Sequence, residues 1–155
     1  MRNYLKIINT MLGIILILNV LAAQDYKHPH GLVDNNGKVS DADGNHIGWV
    51  SRKGMVTDMK GRKIVHINSN GNVIDMKSGK MLGHAPKSGN FVYHFDDLKK
   101  DSLTTSHPMN GTCEVKNGKG EVVALVHENY KHYGACAYHC LAMQKDKKKH
   151  MKMVH

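Results

Sequence analysis

A repeat of 17 residues constrains the fold of this chain more than any other feature of its sequence. In each unit a glycine is followed two residues later by a valine, and two residues after that by an aspartate. The recurring positions are Gly37, Gly54, Gly71, Val39, Val56, Val73, Asp41, Asp58 and Asp75. Self-similarity at a fixed spacing is typical of folds built from several like units.

Each unit has a direct physical interpretation as a β-hairpin. The first glycine supplies a turn with positive φ, and the valine then points inward from a short strand. The aspartate begins a second turn, closed by Gly44 or Gly61, and Ile47 or Ile64 starts the return strand. A single hairpin is marginal in water, so several units must pack together. The segment 41–44 resembles part of a calcium loop, but that register requires carboxylates where valines stand, so we interpret Asp41 and Asp43 as turn residues.

The pattern continues more weakly towards the C-terminus. Residues 88–94 form a fourth candidate unit, residues 96–110 are expected to be irregular, and residues 112–126 form a fifth hairpin. The sequence therefore predicts a mostly β domain over residues 24–126, with about five short hairpin units of period 17 around a common core, plus one C-terminal α-helix. An open β-solenoid and an irregular β-sandwich are the alternatives.

These hairpin units with glycine in their turns, followed by a short tail that carries cysteines and histidines, resemble the exported bacterial five-fold β-flower proteins. In that family, five small β-units are arranged about a central axis. The resemblance covers most of the chain after residue 23. It implies a fold but not a function, because the family carries no assigned biochemical activity. The irregular stretch before the fifth unit departs from the family pattern.

The first 23 residues predict a signal peptide. Arg2 and Lys6 precede an apolar stretch over residues 7–21, and small residues follow at Ala22 and Ala23. A membrane span needs about 20 apolar residues, so this stretch fits a cleaved leader better than an uncleaved anchor, which is the alternative. We expect export to the periplasm or the exterior after cleavage near Ala22 or Ala23, and no transmembrane segment in the mature form.

The charge of the chain favours acidic partners. Removing Arg2 and Lys6 with the leader lowers the formal charge from +9 to +7, and all 12 histidines lie in the mature part. A basic exported protein is suited to an anionic surface such as an acidic glycan or a lipid headgroup, and nucleic acid is not an expected partner. Which partner it binds is unknown from the sequence.

The C-terminal segment predicts a helix over residues 127–146, packed on the β-domain, followed by a basic tail over residues 147–155 that is rich in His and Met. Asn129 is the expected N-cap, and Tyr130, Tyr133, Ala137 and Leu141 recur at helical spacing as one apolar stripe. Gly134 weakens such a helix by about 1 kcal/mol relative to alanine.

Five residues of this helix carry the sharpest chemical hypothesis, a site for Cu or Zn. They share one side of the helix and provide imidazole or sulfur ligands, which these metals prefer. The candidate ligands are His132, Cys136, His139, Cys140 and Met143.

A disulfide is the competing use of the cysteines. Exported thiols are usually oxidised. Cys113 on the last hairpin is expected to pair with Cys136 or Cys140, whereas a bridge between the two helix cysteines fits disulfide geometry poorly. Under this hypothesis the protein needs no cofactor.

No catalytic motif is present in the sequence, so we do not predict an enzyme. The leading hypothesis is a non-catalytic binding or structural module of the cell envelope. The alternative is a periplasmic or secreted metal-binding protein that uses the Cys/His/Met helix.

Overall fold

The computed structural model describes residues 30–96 and 99–153, and the predicted leader lies outside this range. Eleven short strands precede a C-terminal helix. The strands are β1 (Gly31–Val33), β2 (Lys38–Ser40), β3 (His46–Val50), β4 (Met55–Asp58), β5 (Lys63–Ile67), β6 (Asn72–Asp75), β7 (Met81–His84), β8 (Phe91–Asp96), β9 (Lys99–Thr105), β10 (Thr112–Lys116) and β11 (Val122–His127). A 3-10 turn (Glu128–Tyr130) leads into α1 (Lys131–Met153). The predicted fold class, mostly β with one C-terminal helix, is confirmed.

The strands form a closed barrel in which each strand pairs antiparallel with its neighbour along the chain. The ring closes through β1, which pairs antiparallel with β2 and parallel with β11. A closed ring leaves no unpaired sheet edge. The structure therefore excludes the open solenoid and the sandwich, while the number of repeat units, about five, stays a prediction.

The repeated turns are built by one polar residue and one glycine. At Asp41, the side-chain Oδ1 accepts hydrogen bonds from the backbone N–H groups of Asp43 and Asn45, at 3.0 and 2.8 Å. The N–H of Gly44, which has positive φ, donates to the Asp41 carbonyl at 3.0 Å. The same arrangement recurs at Asp34, Ser51, Asp58, Asn68 and Asn117. The prediction that Asp41 and Asp58 are turn residues is confirmed.

The two turns of a unit differ in how tightly they are enclosed. At Gly54, φ is +77° and an added Cβ would lie 2.3 Å from the carbonyl oxygen of Ile67. The same backbone is held by a hydrogen bond from the Ile67 N–H to the Gly54 carbonyl at 2.8 Å. At Gly61, φ is +74° but nothing lies within 4 Å of an added Cβ. The first turn of the unit is therefore locked against the end of a later strand, and the second turn faces open space.

The predicted interior of the hairpins is present. Val39, Val56 and Val73 are fully buried and join one core cluster with residues of the later strands and the helix. Each of these valines directly precedes a register shift in its hairpin, which bends the strand. Repeated bends of this kind help a chain of short hairpins to curve into a ring.

The helix is enclosed by the ring rather than lying on it. Gly134, Ala135, Cys136 and Ala137 are all buried, and four consecutive helical residues point in directions that together surround the helix axis. Further along, Tyr138 lies against Gly31 of β1 and Leu141 against Gly48 of β3. These side chains are small or face glycines because the space between wall and helix is narrow.

Two boundaries differ from the sequence prediction. The helix runs to Met153, past the predicted end at residue 146, because the Lys-rich segment contains strong helix formers and neither glycine nor proline. Asn129, the expected N-cap, lies within the 3-10 turn that leads into the helix, and its N–H donates to the side chain of His127, which caps that turn. The stretch 96–110, expected to be irregular, contains β9, whose Leu103 is buried in the core.

Candidate functional site

The candidate ligands on α1 do not all come together. Cys136 and Cys140 lie one helical turn apart, with their Sγ atoms 3.9 Å from each other. Cys136 is fully enclosed, and Cys140 lies at the edge of the buried region. The two thiols are therefore neighbours, as their spacing predicts.

His132 is directed elsewhere. Its Nε2 lies 3.1 Å from the carbonyl oxygen of Ala85, and its ring stacks on Tyr133 with centroids 4.2 Å apart. Both contacts hold the ring at the start of the helix, so His132 is not grouped with the other four candidates. The first member of the predicted set is thus separated by a hydrogen bond to the loop after β7.

His139 belongs to an aromatic cluster instead. Its ring centroid is 3.8 Å from that of Tyr93 and 5.4 Å from that of Phe91. Phe91 and Tyr93 stack on each other at 5.3 Å. They alternate with the exposed Val92 on β8, so their side chains share the inner face of the strand.

This cluster forms a wall of an open pocket between α1 and strands β5 to β8, which we call the aromatic pocket. Its volume is about 290 Å³. Cys140 and Met143 line it from the helix, so three of the five candidate ligands face one space. The lining residues are Ile64, Val65, Asp75, Leu82, Phe91, Tyr93, His139, Cys140, Met143, Gln144 and Lys147.

The two charged residues of the aromatic pocket differ in their partners. The Asp75 carboxylate accepts hydrogen bonds from the Ser78 hydroxyl at 2.7 Å and from the Lys77 N–H at 3.0 Å. These bonds, led by that from Ser78, hold the pKa of Asp75 below its ordinary value. Lys147 forms no ion pair with any residue of 30–96 or 99–153. The pocket therefore offers an ammonium group that the described part of the protein leaves unpaired.

A second pocket, of about 320 Å³, lies on the other side of the helix beside the turn at Asp41. Lys145 on its rim pairs with the Asp41 carboxylate. Burial alone would raise the pKa of Asp41, but hydrogen bonds from Lys145 and Asn45 outweigh it and hold the pKa below its ordinary value. The contact between Lys145 and Asp41 therefore ties the helix to the turn.

The cysteines are present as three free, buried thiols. The expected bridge from Cys113 to the helix is not formed among the described residues, and the pair in contact is the one that disulfide geometry favours least. Burial raises the pKa of Cys113, and burial together with the Cys140 thiol raises the pKa of Cys136 well above its ordinary value. Buried thiols with raised pKa values are weak nucleophiles.

Within the described residues, no group of three or more His, Cys, Asp or Glu side chains is placed to hold a metal ion. The distance between the two helix thiols nevertheless suits a shared soft ion. Two thiolates bound tetrahedrally at about 2.3 Å would lie about 3.8 Å apart. A site of this kind would need Met143 or His139 as a further ligand from the aromatic pocket.

Sequence reasoning missed the strand side of the pocket. Phe91 and Tyr93 were assigned to a hairpin without a role, although their alternation around Val92 signals one shared face. Lys147 falls in the predicted basic tail, beyond the predicted end of the helix at residue 146; because the helix continues to Met153, Lys147 lies one turn beyond Met143 on the same face. The contact of Phe91 and Tyr93 with the helix could not be predicted from the sequence, because it depends on where the helix enters the ring.

Comparison with known proteins gives no relative: no family model, no curated protein and no solved structure matches this chain. The part of the chain that the structure describes also holds no helix with the length and apolar character needed to cross a bilayer.

Proposed function

We propose that the chain is an exported, non-catalytic binding module of the cell envelope and that the aromatic pocket is its binding site. The observation that carries the proposal is the pocket itself, an open space of about 290 Å³ with aromatic and sulfur-bearing walls. Concave, mostly apolar spaces with a few polar groups are the usual form of small-molecule sites. The leader-like residues 1–23 support export.

The titratable groups support binding rather than catalysis. The carboxylates of Asp41, Asp58 and Asp75 have pKa values lowered by the hydrogen bonds that close their turns. Burial raises the pKa of Cys136, so its thiol is protonated near neutral pH. A carboxyl group that acts as a general acid requires a raised pKa, and an activated thiol requires a lowered pKa.

Two measurements test this proposal. Cell fractionation with N-terminal sequencing is expected to find the protein outside the cytoplasm, beginning at Ala23 or Gln24; an intact N-terminus in the cytoplasm would contradict export. Ligand-observed NMR with small apolar probes is expected to show binding that Leu82→Trp, at the pocket wall, removes. The control Val92→Trp lies on the outer face of β8, where the side chain is 37% exposed, and is expected to leave binding unchanged.

Soft-metal binding is the second candidate, favoured by the 3.9 Å separation of the Cys136 and Cys140 Sγ atoms. Met143 and His139, at the adjoining pocket, are the further ligands that such a site would use. Metal binding releases thiol protons, so affinity is expected to rise with pH.

Titration with Cu(I) or Zn while free thiols are counted tests this second candidate. One tightly bound ion that protects two thiols, lost in Cys136→Ser or Met143→Leu, is the expected result. Met109→Leu is the matched control, because Met109 is 77% exposed and far from the helix thiols in the sequence. Millimolar affinity that is unchanged in Cys136→Ser would exclude the site.

The basic charge supports an acidic partner, either an acidic glycan or a lipid headgroup. Such binding is electrostatic and is expected to weaken steeply as the ionic strength rises. Binding to heparin or to anionic vesicles that is insensitive to salt would contradict this part of the proposal.

A further inference from the structure

We infer that the aromatic pocket takes a small amphiphile with one acidic headgroup and an aromatic or short acyl body. The inference rests on the proposed binding function of the pocket and adds the chemical class of its ligand. Three properties of the pocket carry it: its size, the composition of its walls and the sign of the unpaired charge on its rim.

The volume limits the ligand to a small molecule. A water molecule occupies about 30 Å³ in the liquid, so 290 Å³ corresponds to roughly ten non-hydrogen atoms. Pockets that enclose drug-sized ligands begin at about this volume. A peptide, an oligosaccharide or a long acyl chain would exceed it.

The walls favour an apolar body. Ile64, Val65 and Leu82 line the pocket from the strands, and Met143 lines it from the helix. Phe91 and Tyr93 are 1% and 8% exposed, so the core fixes their positions and only a small part of each ring faces the pocket. The half-buried Leu82 and Met143 supply the accessible apolar surface, on which a flat ring or a short acyl chain can pack.

The rim selects a negative group. Lys147 makes no ion pair within the described residues. The carboxylate of Asp75 keeps its negative charge, but its oxygens already accept hydrogen bonds from the Ser78 hydroxyl and from the backbone of its turn, so Lys147 is the charged group of the lining that is left to pair with a ligand. The formal charge of +7 that remains after removal of the predicted leader adds a long-range attraction for anions. An acidic headgroup beside Lys147, with its apolar body on the aromatic wall, satisfies both features.

The test compares two acids with their uncharged alcohols: 3-phenylpropionate with 3-phenylpropanol, and octanoate with octanol. Dissociation constants are measured by NMR titration of the exported chain in a buffer containing a chelator, which excludes metal-mediated binding. Each acid is expected to bind about two- to fivefold more tightly than its alcohol at low salt, as suits a partly exposed charge pair. The preference is expected to vanish at about 1 M salt, where the Debye length is about 3 Å.

Lys147→Gln is expected to remove the preference for the acids, measured as the ratio of the alcohol and acid dissociation constants. Lys119→Gln, in the exposed turn between β10 and β11, changes the net charge equally and is expected to keep the preference. Shifts of the Met143 methyl and His139 ring resonances locate each probe independently of any variant. Which acid binds more tightly distinguishes an aryl from an acyl ligand.

The failures of the two proposals are distinguishable. If the alcohols bind as tightly as the acids, the pocket functions as a binding site and the acidic ligand class is wrong. If neither acids nor alcohols shift the Met143 and His139 resonances, the proposed binding function fails as well. An acid preference that Lys119→Gln reduces as much as Lys147→Gln would assign the effect to net charge and overturn the role of Lys147.

Discussion

The substitution Gly134→Ala tests whether the helix is enclosed by the ring of strands. An alanine Cβ at this position would lie 2.3 and 2.7 Å from the two methyl carbons of Val126. Overpacking of this kind costs about 1–3 kcal/mol, whereas the higher helix propensity of alanine returns about 1 kcal/mol. We therefore expect the free energy of unfolding to fall by as much as about 2 kcal/mol.

The sign of the effect is expected to reverse when Val126 is shortened. Val126→Ala removes the two methyl groups that the new Cβ would meet, at a cost of about 2 kcal/mol for the cavity it leaves. In that background the new Cβ still lies 3.1 Å from the Cβ of residue 126, a contact relieved by a small shift, and alanine gains helix propensity, so Gly134→Ala should stabilise the protein by up to about 1 kcal/mol. The two substitutions are then coupled by about 1–3 kcal/mol.

Urea unfolding followed by circular dichroism measures all four proteins of this cycle by linear extrapolation. A helix in which Gly134 faced away from Val126 would gain about 1 kcal/mol from Gly134→Ala in both backgrounds. Coupling smaller than about 0.5 kcal/mol would therefore refute the enclosure of the helix.

Two further predictions concern the repeated turns. Gly54→Ala is expected to destabilise the protein more than Gly61→Ala. Both glycines have positive φ, so an alanine at either position costs about 1 kcal/mol, but only at Gly54 does the new Cβ meet a carbonyl oxygen. Equal losses of stability in thermal unfolding would contradict this difference between the turns. The pKa of Asp58 is lowered mainly by its hydrogen bond with Arg62, so its stabilising contribution is present above about pH 4 and is lost as the pH falls through the folded-state pKa. Asp58→Asn should flatten the acid side of a stability–pH curve, and an unchanged slope would show that the pair contributes nothing.

The local parts of the fold could be predicted from the sequence because each depends on a few adjacent residues. Asp41 and Gly44 are sufficient to define a turn, and their spacing of 17 residues from Asp58 and Gly61 reveals the repeat. The first turn of each unit follows the same rule, with Ser51 three residues before Gly54, although that rule is harder to recognise when the polar residue varies.

The closure of the ring depends on contacts between distant residues. Strand β1 has three residues and pairs in parallel with β11, about 90 positions later. No local sequence pattern predicts this pairing. The helix shows the same limit. By propensity alone Gly134 weakens α1, but the structure shows that its missing side chain makes room for Val126.

Only part of the candidate site could be predicted from the sequence, for the same reason. Cys136 and Cys140 adjoin because helical spacing dictates it. Tyr93 meets His139 only because the helix enters the ring beside β8. The contact between two thiols on one helix could therefore be predicted from the sequence, whereas the pocket between the helix and the strands could be found only in the tertiary structure.

A nuclear Overhauser spectrum of residues 24–155 tests the central claim, that α1 lies inside the ring, most directly. We predict contacts from one stretch of helix to opposite parts of the ring: Tyr138 to Gly31 of β1 and Leu141 to Gly48 of β3 on one side, and His139 to Tyr93 of β8 on the other. Contacts confined to one group of neighbouring strands, with solvent on the opposite side of residues 134–137, would contradict the claim.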